Sequence, residues 1–288
     1  MKRKYLVLML MILSVSLIAA DWPNFLGPKK NGMSPERGIN KNWSAKKPRV
    51  LWKMSMNDGG YAGPCIAEGK MFIVDHQGNQ DIVKAVDMDN GKLLWKYAYS
   101  EPAYNNYGHA RSTPTFDKGR LYTISQKGML HCFNARSGSK LWSMNMIKKF
   151  NGRLPQWEMA VSPFIDGNRL VLIVGGSKNV VVLNKYNGKL IWRGGNSDKP
   201  GYATPVIARI NGIKQYLIFT AKRIIGVAAN NGRVLWKYFW YTPYDVNAAT
   251  PCSLVVTGFF SPQDIKSAVL CCGLIVTGPS PNSGRIKK

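Results

Sequence analysis

The sequence predicts an all-β fold in which four-stranded antiparallel units repeat along the chain. Two sequence markers recur in phase. In the first, a tryptophan follows a turn glycine by four residues, and successive tryptophans lie 47, 50 and 44 residues apart. In the second, a small or hydroxyl residue precedes a proline once in each period. The glycine–tryptophan pairs are Gly91 and Trp95, Gly138 and Trp142, Gly188 and Trp192, and Gly232 and Trp236.

The second marker indicates where each unit begins. Each period then supplies a short strand at the proline, an apolar strand, a strand before the glycine turn and the strand that carries the tryptophan. A period in the forties with four strands is typical of a β-propeller blade. We expect about five blades. The prolines are Pro64, Pro114, Pro163, Pro205 and Pro251.

Three physical roles explain the markers. Glycine in a hairpin turn adopts a positive φ without steric cost. Tryptophan buries a large apolar surface between neighbouring blades while its N–H finds a carbonyl group. Proline at the start of a strand removes no ladder hydrogen bond. We therefore predict that these residues are scaffolding and exclude them from the candidate site.

The chain divides into four segments. Residues 1–20 combine a basic start, an apolar stretch and Ala19-Ala20. They are predicted to be a secretory signal peptide, with a membrane anchor as the alternative. A lead segment over 21–49 precedes propeller repeats over 50–251, and an aberrant, incomplete last blade and tail follow over 252–288. Signal cleavage implies a periplasmic or secreted protein without a membrane span.

The end of the chain departs from the repeat. No glycine–tryptophan pair follows Pro251. We predict that the tail from about Cys252 is the product of a frameshift, with a divergent natural ending as the alternative. Residues 50–54 are expected to form a lone outer strand that completes the last blade with strands at 254–256, 258–260 and 268–270. An open arc cut from a seven- or eight-bladed parent is the alternative to this closure.

Composition limits the function classes. The formal net charge is +25, but basic residues are scattered singly, and the sequence shows no nucleic-acid-binding motif. A basic solvated surface is the main interpretation, and a polyanion-binding surface is an alternative. The 5 cysteines and 3 histidines show neither a disulfide framework nor a metal-ligand spacing, so no metal site is expected.

Several motifs resemble the quinoprotein-type repeat, in which a small apolar residue and Asp or Asn lead into a glycine turn and Leu-Trp. Residues 86–91 and 183–188 match this pattern. The opening stretch 21–28 and residues 152–176 resemble secreted planctomycete-type propellers with PQQ-like repeats. The resemblance covers residues 21–251. It implies two kinds of relative: dehydrogenases that use pyrroloquinoline quinone (PQQ) with calcium, and protein-binding propellers such as the lipoprotein of the outer-membrane β-barrel assembly machinery.

The residues that a quinone dehydrogenase of this fold is expected to have are not apparent in this sequence. Cys271-Cys272 is an adjacent pair, but it lies near the end of the chain, whereas the resemblance implies an early position. No calcium-binding trio and no catalytic residue are apparent. We expect a non-catalytic binding or scaffold module without a cofactor, for an unknown protein or for a small or anionic ligand. The PQQ-dependent oxidoreductase is the alternative.

Candidate ligand-binding residues lie in the segments just before the prolines, which face the central channel in propellers. His109 and Arg111 are candidates for binding an anionic group, and Glu158 for acting as a base or a metal ligand. Tyr61 and Asn106 lie in the same kind of segment. The full set of candidate rim residues is His109, Arg111, Glu158, Trp157, Tyr202 and Asn247.

Overall fold

The computed structural model describes residues 21–102, 108–255 and 274–277, and strands dominate that part of the chain. Four sheets each contain four strands in sequence order, and neighbouring strands within these sheets are antiparallel. The first strands of the first three sheets lie next to each other in sequence order. The sheets are therefore four complete blades around a common channel, which confirms the predicted all-β propeller class.

The strand bounds repeat closely from blade to blade. Blade 1 contains β1 (Cys65–Ala67), β2 (Lys70–Gln77), β3 (Gln80–Asp87) and β4 (Leu93–Ser100). Blade 2 contains β5 (Thr115–Asp117), β6 (Arg120–Ile124), β7 (Met129–Asn134) and β8 (Lys140–Asn145), followed by the short helix α1 (Met146–Lys149). Blade 3 contains β9 (Phe164–Asp166), β10 (Arg169–Ile173), β11 (Val180–Asn184) and β12 (Leu190–Gly194). Blade 4 contains β13 (Val206–Ile210), β14 (Ile213–Phe219), β15 (Arg223–Ala228) and β16 (Val234–Phe239), and a 3-10 turn follows at Pro243–Asp245.

The proline markers fix the innermost strand of each blade. In every case the strand begins at the residue directly after the proline, as β1 does after Pro64 and β13 after Pro205. Proline has no N–H to donate, so a position just outside the ladder costs no hydrogen bond. The segments before the prolines consequently converge at one end of the channel.

Each tryptophan marker docks on the turn of the next blade. The indole N–H of Trp95 donates to the carbonyl of Ala135 at 3.0 Å, and its ring covers Gly138 of the same turn. The same contact joins Trp142 to Lys185 at 3.2 Å and Trp192 to Ala229 at 3.2 Å. The accepting carbonyl lies three residues before the glycine each time. The repeated glycine–tryptophan spacing of the sequence therefore corresponds to the same contact between successive blades.

A β-bulge accompanies every marker tryptophan. In blade 1 the register shifts between Ala85 and Val86, where Ala85 pairs with Trp95. Equivalent shifts occur in the other three blades, each at the residue that pairs with the marker tryptophan. A bulge increases local twist and redirects side chains.

The lead segment crosses the inner strands of the blades. Trp22 forms a two-way backbone bridge with Ile66 of β1, and Pro23 accepts a hydrogen bond from the N–H of Phe116 in β5 at 2.7 Å. The Lys30 ammonium donates to the carbonyl of Ile165 in β9, and Leu26 is buried in the core of blade 4. This segment thus ties the four blades together along the channel.

The predicted strand at residues 50–54 is wrong, because no strand is assigned there. The segment nevertheless carries a docking tryptophan. The indole N–H of Trp52 donates to the carbonyl of Met88 at 2.8 Å, and its ring covers Gly91 of blade 1. Among the described residues this stretch has no ladder partner, and it contacts blade 1 through the Trp52 side chain.

The rest of the chain is described only in part. Strand β17 (Cys252–Val255) pairs in parallel with β18 (Leu274–Thr277), which differs from the antiparallel pairing of the blades. The predicted signal peptide, Asn106, the strands predicted at 258–260 and 268–270, and Cys271-Cys272 lie outside the described residues. The frameshift remains a prediction.

Within the described ranges, no helix is both long and apolar enough to cross a membrane.

Alanine substitutions at two turn glycines of blade 2 test the interblade joint. Gly119 and Gly138 have nearly equal φ values of +73° and +72°, but a Cβ at Gly119 would meet nothing within 4 Å, whereas one at Gly138 would lie 2.5 Å from the Trp95 ring. Left-handed backbone costs both variants about 1–2 kcal/mol. We expect Gly138→Ala to lose about 1–3 kcal/mol more, because it overpacks the joint. Equal losses in urea unfolding would show that the joint does not contribute to stability.

Candidate functional site

One cavity lies where the segments before the prolines converge, and we call it the rim cavity. It has a volume of about 450 Å³. Each blade's leading segment, and the segment before β17, contributes to its walls. The lining residues are Tyr61, Arg111, Trp157, Ala160, Tyr202, Val246 and Ala248.

A series of hydrogen bonds connects these segments around the rim. Tyr61 donates its N–H to the carbonyl of Ala110 at 2.8 Å, and the Arg111 guanidinium donates to the carbonyl of Trp157. The N–H of Trp157 donates to the Tyr202 hydroxyl at 2.9 Å. Tyr202 in turn donates its N–H to the carbonyl of Asn247 at 2.8 Å. Each segment is thus held by the next one, which gives the cavity a defined wall.

The wall is mostly apolar and aromatic, with one cationic side chain. Tyr61 is 73% exposed and Val246 is 39% exposed, so the cavity opens to solvent. Burial raises the pKa of the Tyr202 hydroxyl, against the opposing effects of the Trp157 N–H and of Arg111. Tyr202 therefore remains neutral at physiological pH and acts as a hydrogen-bonding group.

The structure brings together three of the six candidate rim residues, Arg111, Trp157 and Tyr202. Tyr61, which the sequence placed in the same kind of segment, lines the cavity with them. Glu158 is adjacent in sequence but does not line the cavity; it has a left-handed backbone with φ of 64°. Asn247 lies behind the cavity and is 3% exposed. Its amide donates to the carbonyls of Thr220 and Ala221, both at 3.0 Å, which fits a structural role.

His109 belongs to a different cluster at the end of blade 1. Its ring is stacked on that of His76, with centroids 4.0 Å apart and an interplanar angle of 7°. Asp58 lies beside the two rings, and one potential ligand atom from each of the three residues lies within 4.8 Å of the others. Asp81 contacts His76 Nδ1 at 2.7 Å, and burial raises the pKa of that carboxyl despite the opposing His76 and Tyr99 hydrogen bonds.

Part of each site was not detectable from the sequence. Ala160, Val246 and Ala248 form walls of the rim cavity, but small apolar residues before a strand are too common to single out. Asp58 and His76 are separated from His109 by more than a strand length of chain, so no motif spacing connects them. Only the convergence of three segments makes the cluster visible.

Comparison with known proteins gives one family for most of the chain. A family model described as outer membrane protein assembly factor BamB, PQQ_2, matches residues 79–255. BamB of Moranella endobia is 22% identical over 218 residues, which cover 66% of this chain and 49% of that protein. The dehydrogenase subunit of the quinone alcohol dehydrogenase of Komagataeibacter europaeus is 26% identical over 175 residues, which cover 56% of this chain and 23% of that subunit.

A solved structure shares the fold. Europium-containing methanol dehydrogenase superposes with a TM-score of 0.58 and 14% identity, covering 78% of this chain and 50% of that one. The chain spans about half the length of its BamB relative from Moranella endobia, and about a quarter of the quinone dehydrogenase subunit.

Replacing Asn247 tests its structural role. Asn247→Ala leaves two buried carbonyls without their donor, and each unsatisfied group costs about 1–3 kcal/mol. Asn231→Ala is the matched control, because Asn231 is an exposed turn residue that accepts one hydrogen bond, from the Arg233 N–H. Urea unfolding should show a clearly larger loss for Asn247→Ala. Equal losses for the two variants would contradict the structural role.

Proposed function

Because the chain belongs to the PQQ_2 family, whose model is described as outer membrane protein assembly factor BamB, we propose that it is a non-catalytic protein-binding module. The proposed location is the periplasm or the cell exterior. The proposed site is the rim cavity, and the proposed ligand is an extended segment of a partner protein with an aromatic or branched apolar side chain.

The observation that carries this proposal is the composition and construction of the rim. Tyr61, Trp157 and Tyr202 offer large apolar surfaces on segments that are fixed by hydrogen bonds. Tryptophan, tyrosine and arginine dominate the energetics of protein interfaces when they line a pocket. A preformed wall also reduces the entropy lost on binding. The rim therefore combines the residue types and the rigidity that a peptide-binding site requires.

A peptide titration tests the site. The probe is a fluorescently labelled synthetic peptide of alternating aromatic and polar residues, with an all-polar peptide as its control. Trp157→Ala should weaken binding at least about tenfold, as expected for an interface hot spot. Trp43→Ala is the matched variant, because Trp43 is 60% exposed on the lead segment and outside the rim cavity.

Three results would contradict the proposal: no binding of the aromatic peptide, equal binding of the all-polar peptide, or equal affinities of the Trp157→Ala and Trp43→Ala variants. The salt dependence of the affinity distinguishes peptide binding from the polyanion-binding alternative, which the net charge of +25 favours. Affinity for an apolar segment should change little with salt, whereas binding of a polyanion falls steeply as salt rises.

The quinone dehydrogenase is the second candidate, since one of the relatives is the dehydrogenase subunit of a quinone alcohol dehydrogenase. Calcium is held by carboxylate, amide or carbonyl oxygens in protein sites. The described lining of the rim cavity includes Arg111 but no carboxylate or amide side chain. This lining does not fit a quinone–calcium pair, which supports a module without that cofactor.

Cofactor loading separates the two candidates. After incubation with PQQ and Ca²⁺ followed by desalting, we expect no retained quinone chromophore and no reduction of an electron-accepting dye on addition of ethanol. Stoichiometric retention of the quinone together with dye reduction would replace the binding proposal with the enzyme. A known quinone dehydrogenase treated in parallel shows that the loading conditions work.

A further inference from the structure

Three chain segments converge at the end of blade 1 and are fixed there by backbone hydrogen bonds. The N–H of Asp58 donates to the carbonyl of His76 at 3.0 Å. The N–H of His109 donates to the carbonyl of Gly59 at 2.8 Å. Asp58 is therefore held between the end of β2, which carries His76, and the segment leading into blade 2, which carries His109.

The potential ligand atoms of these three residues lie close together. One ring nitrogen from each histidine and one carboxylate oxygen of Asp58 lie within 4.8 Å of one another. The His76 side chain is fully buried. His109 Nδ1 is buried and has no hydrogen-bond partner among the residues that the structure describes. A buried imidazole nitrogen without a partner is costly, and a bound cation would satisfy it.

The buried carboxylate of Asp81 contacts the ring of His76 and orients it. Asp81 Oδ1 lies 2.7 Å from His76 Nδ1, and the Tyr99 hydroxyl donates to Asp81 Oδ2 at 3.0 Å. Histidines that bind metals commonly have their second ring nitrogen oriented by a carboxylate in this way. His76 Nε2 faces the turn of blade 1, 2.6 Å from the Gly78 carbonyl, and the N–H of Gly78 donates to Asp58 Oδ2 at 3.0 Å. A cation bound by Nε2 would replace the contact with the Gly78 carbonyl.

We propose that Asp58, His76 and His109 form a binding site for a divalent first-row transition metal, with Zn²⁺ as the best match. Two imidazoles and a carboxylate are typical zinc ligands, whereas Ca²⁺ and Mg²⁺ take oxygen ligands. Ligand atoms around a tetrahedral Zn²⁺ are roughly 3.3 Å apart, so the side chains close by at most about 1.5 Å. Because a bound ion lies in the plane of each imidazole, the two stacked rings also tilt toward each other on binding. A cavity of about 320 Å³ that includes Asp58 and His76 in its lining lies beside the cluster.

The position of this site connects it with the rim cavity. Tyr61 follows Asp58 by three residues, and Arg111 follows His109 by two. A cation held by the three side chains would therefore fix two of the segments that form the rim. The metal site itself rests on the cluster geometry and does not depend on the proposed peptide binding.

Zinc titration of the purified full chain without a histidine tag tests the site. After treatment with EDTA and dialysis, calorimetry should show one Zn²⁺ bound per chain, and Zn²⁺ should raise the melting temperature. His109→Gln and Asp58→Asn should each weaken binding at least tenfold. The matched controls are His131→Gln, which removes the histidine of β7 outside the cluster, and Asp89→Asn, which removes an exposed turn carboxylate.

Two further measurements separate binding from folding defects. Circular dichroism and metal-free melting temperatures confirm that each variant is folded. Asp81→Asn keeps all three ligands and should retain the stoichiometry while lowering the affinity roughly 10- to 100-fold, as expected for an orienting carboxylate. The Co²⁺-loaded protein should show a visible absorption band that the His109→Gln protein lacks.

The proposal is overturned if the wild-type chain binds no Zn²⁺ at millimolar concentration. It is equally overturned if the folded His109→Gln protein keeps wild-type affinity, if His131→Gln reduces affinity as much as His109→Gln does, or if Ca²⁺ competes with Zn²⁺ at equal concentration. Retained zinc binding in the two controls, together with its loss in the two ligand variants, supports it.

Discussion

The docking of a tryptophan on the glycine turn of the next blade is the contact on which the rest of this structure depends. Trp52, Trp95, Trp142 and Trp192 each place an indole ring over such a glycine and donate to the carbonyl three residues before it. A blade presents two apolar faces and buries them only against its neighbours. The joint therefore sets the relative placement of the blades, and with it the spacing of the segments that build the rim.

Trp236, the last tryptophan of the repeat, does not dock on a glycine turn of a following blade among the described residues. The indole N–H of Trp236 donates to the side chain of Gln215 in its own blade at 2.8 Å. In the part of the chain that the structure describes, no turn of a following blade receives it. The nearby Phe239 is 63% exposed. At the other end, Trp52 docks on blade 1 although residues 50–54 form no strand, so the ring contact forms without the strand that usually carries it.

The sequence was sufficient for features whose causes are local. Gly138 and Trp142 belong to one hairpin, and Pro114 immediately precedes its strand, so their spacing predicted the strand order within a blade without knowledge of distant contacts. The expected number of about five blades exceeds the four complete blades among the described residues. Features that depend on several segments were not predictable in the same way. The strand predicted at 50–54 failed because an apolar pattern does not supply a ladder partner, and pairing between segments decides whether a strand forms.

The two sites differ in how much of each was predictable. Arg111, Trp157 and Tyr202 were found because each lies in the segment before a marker proline, and the repeat implies that such segments meet. Val246 and Ala248 have no distinguishing chemistry. Asp58, His76 and His109 come from different positions within the period, so the repeat does not relate them. Their meeting depends on backbone hydrogen bonds such as that from His109 to Gly59.

The central claim is that the segments before the prolines form one binding surface at the end of the channel. Fluorine NMR of protein labelled with fluorotryptophan tests it most directly, because the chain contains 9 tryptophans that report separately. With signals assigned by single Trp→Phe variants, addition of the alternating aromatic peptide should shift the signal of Trp157 and leave those of Trp43 and Trp142 in place. An unchanged Trp157 signal at a peptide concentration that shifts other tryptophans would contradict the account.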